Sequence, residues 1–240
     1  MQKVLLTFIV VFGLNIYTIK GQSPVVLELF TSQGCSSCPA ADNLLDEVKT
    51  VYNDNVIPLS YHVDYWNYIG WKDPFSKALF TEKQKLYSQK FNSSTIYTPQ
   101  VVVNGAEHFV GSNESILKSK ISEYSGKNTS SNIQLSNPNT SNNRINLNYE
   151  LQGKFQGKRL RVALVIEERV TSVKRGENRN RILKNANIVI AEQYVKALQD
   201  KGQFNIEIPS IVQADDKLRV VAILENETFD ILGAKQLAIH

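Results

Sequence analysis

The stretch 28-ELFTSQGCSSCPAADNLLDEV-48 decides how the chain is read, because it holds Cys35 and Cys38, the only two cysteines in 240 residues. Ahead of it, 24–30 is mostly apolar and rich in Val and Leu, the pattern of a strand covered on both faces. Behind it, Leu44, Leu45, Val48, Val51 and Tyr52 recur at helical spacing. Pro39 suits the first turn of that helix, where its missing N–H costs nothing. Cys35 therefore falls where a strand ends and a helix begins. Unpaired N–H groups at a helix start carry partial positive charge and stabilise a thiolate. Cys38 lies about one turn further in and is expected to be shielded. That division suits exchange: Cys35 attacks a disulfide and Cys38 resolves the mixed intermediate.

A CxxC pair also serves zinc, but a four-ligand zinc site normally needs a second pair. Only His62, His108 and His240 are available to complete one. The first residues bear on the choice. Lys3 precedes a short apolar run from Val4 to Leu14, and polar residues return by Lys20. This is the layout of a secretory signal over 1–22, against an uncleaved anchor as the alternative. Either places the remainder outside the cytoplasm, in the periplasm or beyond the cell, and no later segment is long and apolar enough to span a bilayer. In an oxidising compartment, a lone vicinal pair reads as active or metal-binding more readily than as a scaffold. The net charge of +4 is mild and points to no nucleic-acid partner.

Strand and helix patterns alternate through the first half. A second strand is expected at 56–63, a helix around 77–91, a strand ending in Asn104-Gly105, a returning strand at 109–111 and a closing helix at 114–124. Alternation of this kind implies helices on the faces of a parallel or mixed sheet over 23–127. The run 128–143 is Ser/Asn-rich and reads as a linker. From 144 to 240 the pattern is β throughout, with strands at 145–151, 160–170, 182–194, 204–208, 218–224 and 231–239, as in a β-sandwich.

Thr98-Pro99 opens the strand ahead of the Asn-Gly turn. The segments FTSQGCSSCPAAD, YHVDYWNYIGWKDPF and YTPQVVVNG together resemble the exported thioredoxin-like family catalogued as domain-of-unknown-function family 1223. The downstream RGENRNRILKNANIVI and the terminal VVAILEN…ILGA resemble it more loosely. The resemblance implies an α/β thioredoxin-like domain with a helical insertion, followed by an all-β sandwich-like domain. It implies that Cys35 and Cys38 are the redox pair and that Pro99 is a cis-proline beside them. It also carries departures from ordinary thioredoxin: Ser-Ser between the cysteines, Pro39 directly after Cys38, and a longer span to Pro99.

Each supporting residue has a plainer role to set against the chemical one. His62, at the end of the second strand, is a candidate to stabilise the thiolate, relay a proton or bind metal, against a structural histidine. Asp64 suits a cap on the following segment more than catalysis. Glu28 would take the proton from Cys38 if buried beneath the pair, but strand alternation leaves its face undetermined. Trp66, Tyr68 and Trp71 would line a substrate groove or cover the sheet. The run 174-KRGENRNR-181 would bind an anion or form a solvated hairpin.

The leading expectation is a thiol–disulfide oxidoreductase with no cofactor beyond its own disulfide, acting on protein thiols or a redox partner protein. Cys35 is the nucleophile and Cys38 the resolver; Pro99 and Thr98 shape the groove. The alternatives are a copper-delivery protein holding Cu(I) with Cys35, Cys38 and His62, and a binding module with a structural disulfide.

Overall fold

A computed structural model describes residues 23–127 and 131–239; the predicted signal at 1–22 lies outside the described residues. The strand before the cysteines is β1 (Val25–Thr31) and the helix after them α1 (Cys38–Tyr52). Next come β2 (Val56–His62), α2 (Ala78–Lys90), β3 (Gln100–Val103), β4 (Glu107–Val110) and α3 (Glu114–Tyr124). The second half holds β5 (Ser131–Ser141), β6 (Arg144–Gly153), β7 (Arg159–Ser172), β8 (Ile182–Tyr194), β9 (Lys201–Glu207), β10 (Leu218–Glu225) and β11 (Ile231–Ile239). Among the described residues no helix is long and apolar enough to cross a membrane.

Local chemistry explains several boundaries. Asn113 caps α3 by accepting a hydrogen bond from the Ile116 N–H at 3.1 Å. Asn104 and Gly105 both take positive φ, +47° and +67°, and so close the tight β3–β4 hairpin.

The strands do not divide where the sequence pattern divides. One mixed eight-stranded sheet runs in the order β11-β10-β7-β8-β2-β1-β3-β4 through both halves of the chain. The join is between β2 and β8, parallel at Ser60 and Ile188. Only β5, β6 and β9 form a second sheet. The expected pair of units, an α/β thioredoxin-like domain and a separate β-sandwich, is therefore incorrect. The described chain is mostly β, with three α-helices set around a shared sheet. The reason is burial. β7 is buried at each position from Leu160 to Ile166, and β10 from Arg219 to Glu225. Such strands need cover on both faces and take central places in a large sheet.

Of the predicted linker at 128–143, residues 128–130 lie outside the described residues and most of the remainder is strand. Residues 131–141 pair with β6 as β5, despite their polar composition, with an irregularity between Ser136 and Asn139. Backbone pairing at an exposed edge needs few apolar side chains, so composition gave no sign of it.

Three apolar layers hold these parts. α1 and α3 cover one face of β1 and β3, with Leu45, Val48, Leu117 and Ile121 against Leu27, Leu29 and Val101. α2 packs Phe80 and Tyr87 against Phe30 and Tyr61 on the opposite face. The small sheet lays Leu147, Phe204 and Ile206 on Leu164, Ile188 and Val220. The long β7–β8 hairpin departs from regularity at Leu164/Val165 and at Asn187, whose φ is +58°. Its tip, 173–181, lies on the turn that carries the cysteines.

Candidate functional site around the Cys35–Cys38 disulfide

β1 ends at Thr31 and the chain turns through Ser32, Gln33 and Gly34, with the Cys35 N–H donating to the Ser32 carbonyl at 3.1 Å. Cys35 and Cys38 are joined as a disulfide at the start of α1. Pro39 sits in the helix's first turn, where its lack of an N–H leaves no bond unmade. Both sulfur residues are buried: Cys35 is 1% exposed and Cys38 fully enclosed. Ser36 and Ser37 between them face solvent. The Thr98–Pro99 peptide is cis, and the Thr98 carbonyl oxygen lies 3.9 Å from Cys35 Sγ. Trp66 Nε1 donates to Thr98 Oγ1 at 2.8 Å. The structure thus brings Cys35, Cys38, Thr98 and Pro99 together.

His62 reaches the turn indirectly. Its Nδ1 is 2.7 Å from Asp73 Oδ2, and the same oxygen accepts the Gln33 N–H at 2.8 Å. Both side chains are fully buried. Burial on its own would lower the His62 pKa, but the Asp73 carboxylate and the bond to it, with Asp42 nearby, leave it raised. Trp71 Nε1 donates to Gln33 Oε1 at 3.1 Å, so two aromatics of the 66–73 segment serve as polar struts of the site.

Asp42 was not foreseen. It lies four residues after Cys38, and side chains at that spacing share one face of a helix. It is buried and accepts from Thr31 Oγ1 at 3.2 Å. Burial pushes its carboxyl up to about 7, against the pull of His62 and the Thr31 bond. Asp42 Oδ1 and His62 Nε2 are both buried without a hydrogen-bond partner among the described residues. The spacing from Cys38 was the available sequence signal.

Glu28 stands elsewhere. It faces the α2 side of the sheet, where Arg161 Nη1 donates to it at 2.9 Å and Lys83 Nζ lies 3.0 Å away. Tyr87 also donates to it. Burial would raise its pKa, but Arg161 and Lys83 bring it down to about 2. A carboxylate held that low is too weak a base to take a thiol proton, and its partners are Arg161, Lys83 and Tyr87, so the expected role beside Cys38 does not fall to it. Asp64 accepts from Thr81 Oγ1 at 2.5 Å and ties the segment after β2 to α2, which is neither the expected cap nor a place beside the cysteines.

The tip of the β7–β8 hairpin completes the site. Buried Asn178 donates through Nδ2 to the carbonyls of Gln33 and Cys35, each at 2.9 Å. Glu177 Oε2 accepts the Ser36 N–H at 2.9 Å. The solvated hairpin expected at 174–181 is thus a wall of the disulfide site. Among the described residues no group of three or more His, Cys, Asp or Glu side chains is placed to hold a metal ion.

Comparison with known proteins agrees with this arrangement in fold. The crystal structure of protein AGR_C_4864 from Agrobacterium tumefaciens is 28% identical over 89% of this chain and 93% of that one, with a TM-score of 0.65. HBP35 of Porphyromonas gingivalis matches over 91% of this chain and 76% of its own, at 14% identity and a TM-score of 0.67, a likeness of fold. No curated protein matches the chain. The family model "Protein of unknown function (DUF1223)" matches residues 26–225, and the chain belongs to that family.

Proposed function

We propose that the protein is an exported thiol–disulfide oxidoreductase, in which Cys35 exchanges with a partner protein's sulfur and Cys38 resolves. The observation that carries this reading is the position of the pair. The chain's only two cysteines are linked across the start of α1, with Asp42, whose Oδ1 is buried without a partner among the described residues, one turn after Cys38.

In the reducing direction the Cys35 thiolate, stabilised by the positive end of the α1 dipole, attacks a substrate disulfide. A mixed disulfide forms and one substrate sulfur leaves as a thiolate. Asp42 takes the proton of Cys38, a transfer suited to an acid whose pKa lies near neutrality. The Cys38 thiolate then attacks Cys35 Sγ, the second substrate sulfur leaves, and the Cys35–Cys38 disulfide closes. The protein loses two electrons and the substrate gains them. The oxidising direction is the reverse.

A second reading, a binding module with a structural disulfide, is favoured by one observation: neither sulfur is open to solvent. The reduction potential separates the two. The mature protein is equilibrated in graded thiol buffers and its alkylated thiols are counted by mass. A potential between roughly −120 and −270 mV supports exchange; one below about −300 mV marks a structural bond and ends the oxidoreductase reading.

A further inference from the structure

The β7–β8 tip carries more charge than its bonds use. Lys174, Arg175, Arg179 and Arg181 are all exposed there, and exposed Lys72 lies in the facing 66–73 segment. None of the five has a carboxylate partner among the described residues. The acids nearby are committed: Glu177 to the Ser36 N–H, and buried Asp73 to His62 and Gln33.

These cations stand on a fixed base. Asn178 bolts the tip to the cysteine turn, and within the tip Val173 N–H donates to the Arg181 carbonyl and Asn180 N–H to the Val173 carbonyl, both at 2.9 Å. Gly176 lies against Ile69 and Trp71 of the facing segment. The charges are therefore held beside exposed Ser36 and Ser37, the side from which a partner would reach the disulfide.

We propose that this rim is a docking surface for an acidic polypeptide segment, one that flanks the partner cysteine exchanging with Cys35. The substrate class rests on the oxidoreductase reading; the docking surface itself does not. A fixed cationic rim selects partners by charge and speeds encounter, and exposed charges make that selection sensitive to salt.

Two labelled peptides test it, both with serine in place of cysteine, one flanked by Asp and Glu and the other by Lys. Binding is read by fluorescence anisotropy at low salt and at about 0.15 M. The acidic peptide is expected to bind in preference. R175E/R179E is expected to weaken it by about tenfold or more. K154E/K235E makes the same charge change at the far end of the sheet and is expected to leave binding unaltered. Equal binding of both peptides, or equal loss in the two double variants, overturns the proposal. Cysteine versions of the peptides, with alkylated thiols counted, report exchange separately. Acidic-peptide binding without exchange keeps the docking surface and removes the oxidoreductase reading. Exchange with no charge preference does the opposite.

Discussion

Asn178 Nδ2 donates to the Cys35 carbonyl at 2.9 Å across 143 residues of chain, and that bond ties the second half of the protein to its disulfide. The same nitrogen serves the Gln33 carbonyl, so one buried amide satisfies two backbone acceptors of the cysteine turn. Asn178→Ala leaves the Gln33 carbonyl unsatisfied and the Cys35 carbonyl with only the longer bond from the Cys38 N–H, at 3.3 Å. A stability loss of about 1–3 kcal/mol is expected. With the tip loosened, a water-soluble phosphine is expected to reduce the disulfide faster than in the wild type. An unchanged reduction rate alongside the stability loss would mean that the tip does not shield the sulfurs.

Asp42 and His62 make stability depend on pH in the neutral range. Burial raises Asp42 from 3.8 to about 7, so the folded protein holds a proton there that the unfolded chain has released. Asp73 keeps the His62 pKa above 6.5 despite burial, and the stability from its charged form is present below that value and lost as pH rises through the folded one. Both groups act in the same direction: stability falls as pH rises from 3.8 to about 7 on account of Asp42, and as pH rises from 6.5 through the folded value on account of His62. Asp42→Asn is expected to flatten this slope and to raise the melting temperature at pH 8. It is also expected to slow Cys38 attack on a trapped mixed disulfide, a readout that a purely structural Asp42 would leave alone.

What the sequence showed and what it concealed follow from the range of the interactions. Strand–CxxC–helix and Thr98-Pro99 are local, and the structure brings them together. Asp42 was legible in principle, one turn after Cys38, but Glu28 was the candidate because it sits in the adjoining strand. Alternation states that neighbouring strand residues face opposite ways without stating which faces the disulfide. Arg161, 133 residues away, settles Glu28's surroundings, and no local pattern announces that. The fold error has a similar source. Leu160–Ile166 is apolar apart from Arg161, much as 24–30 is apart from Glu28, and the inference that reads β1 as doubly covered places β7 inside a large sheet. The short turns around it suggested a sandwich instead.

Arg161 is the centre of a buried charge cluster that joins the two halves. It donates to Glu28 at 2.9 Å, Glu225 at 2.8 Å and Glu192 at 2.9 Å, and Lys83 binds Glu192 from α2. Arg161→Met removes the cation and leaves buried carboxylates short of a partner, at an expected cost of about 3–5 kcal/mol in denaturant unfolding. Glu28, held down to about 2, contributes stability that is full above 4.5 and lost as pH falls through the folded value. The variant is expected to lose this acid tolerance. Its thiol–disulfide potential is expected to stay at the wild-type value; a clear shift would return Glu28 to the redox chemistry.

Gly176 tests whether the tip's seat on the 66–73 segment matters. Its φ is +76°, and an added Cβ would lie 2.8 Å from Ile69 Cδ1 and 3.4 Å from Trp71 Cβ. Gly157, at φ +67°, has nothing within 4 Å of such a Cβ. Gly157→Ala therefore measures left-handed strain alone, about 1–2 kcal/mol. Gly176→Ala adds a contact that moves the tip away from the aromatic segment or displaces Ile69. It is expected to destabilise more than Gly157→Ala and, unlike it, to speed reduction of the disulfide by phosphine. If the two variants match in both measurements, Ile69 yields without moving the tip, and the bonds of Asn178 and Glu177 to the cysteine turn hold the wall in place.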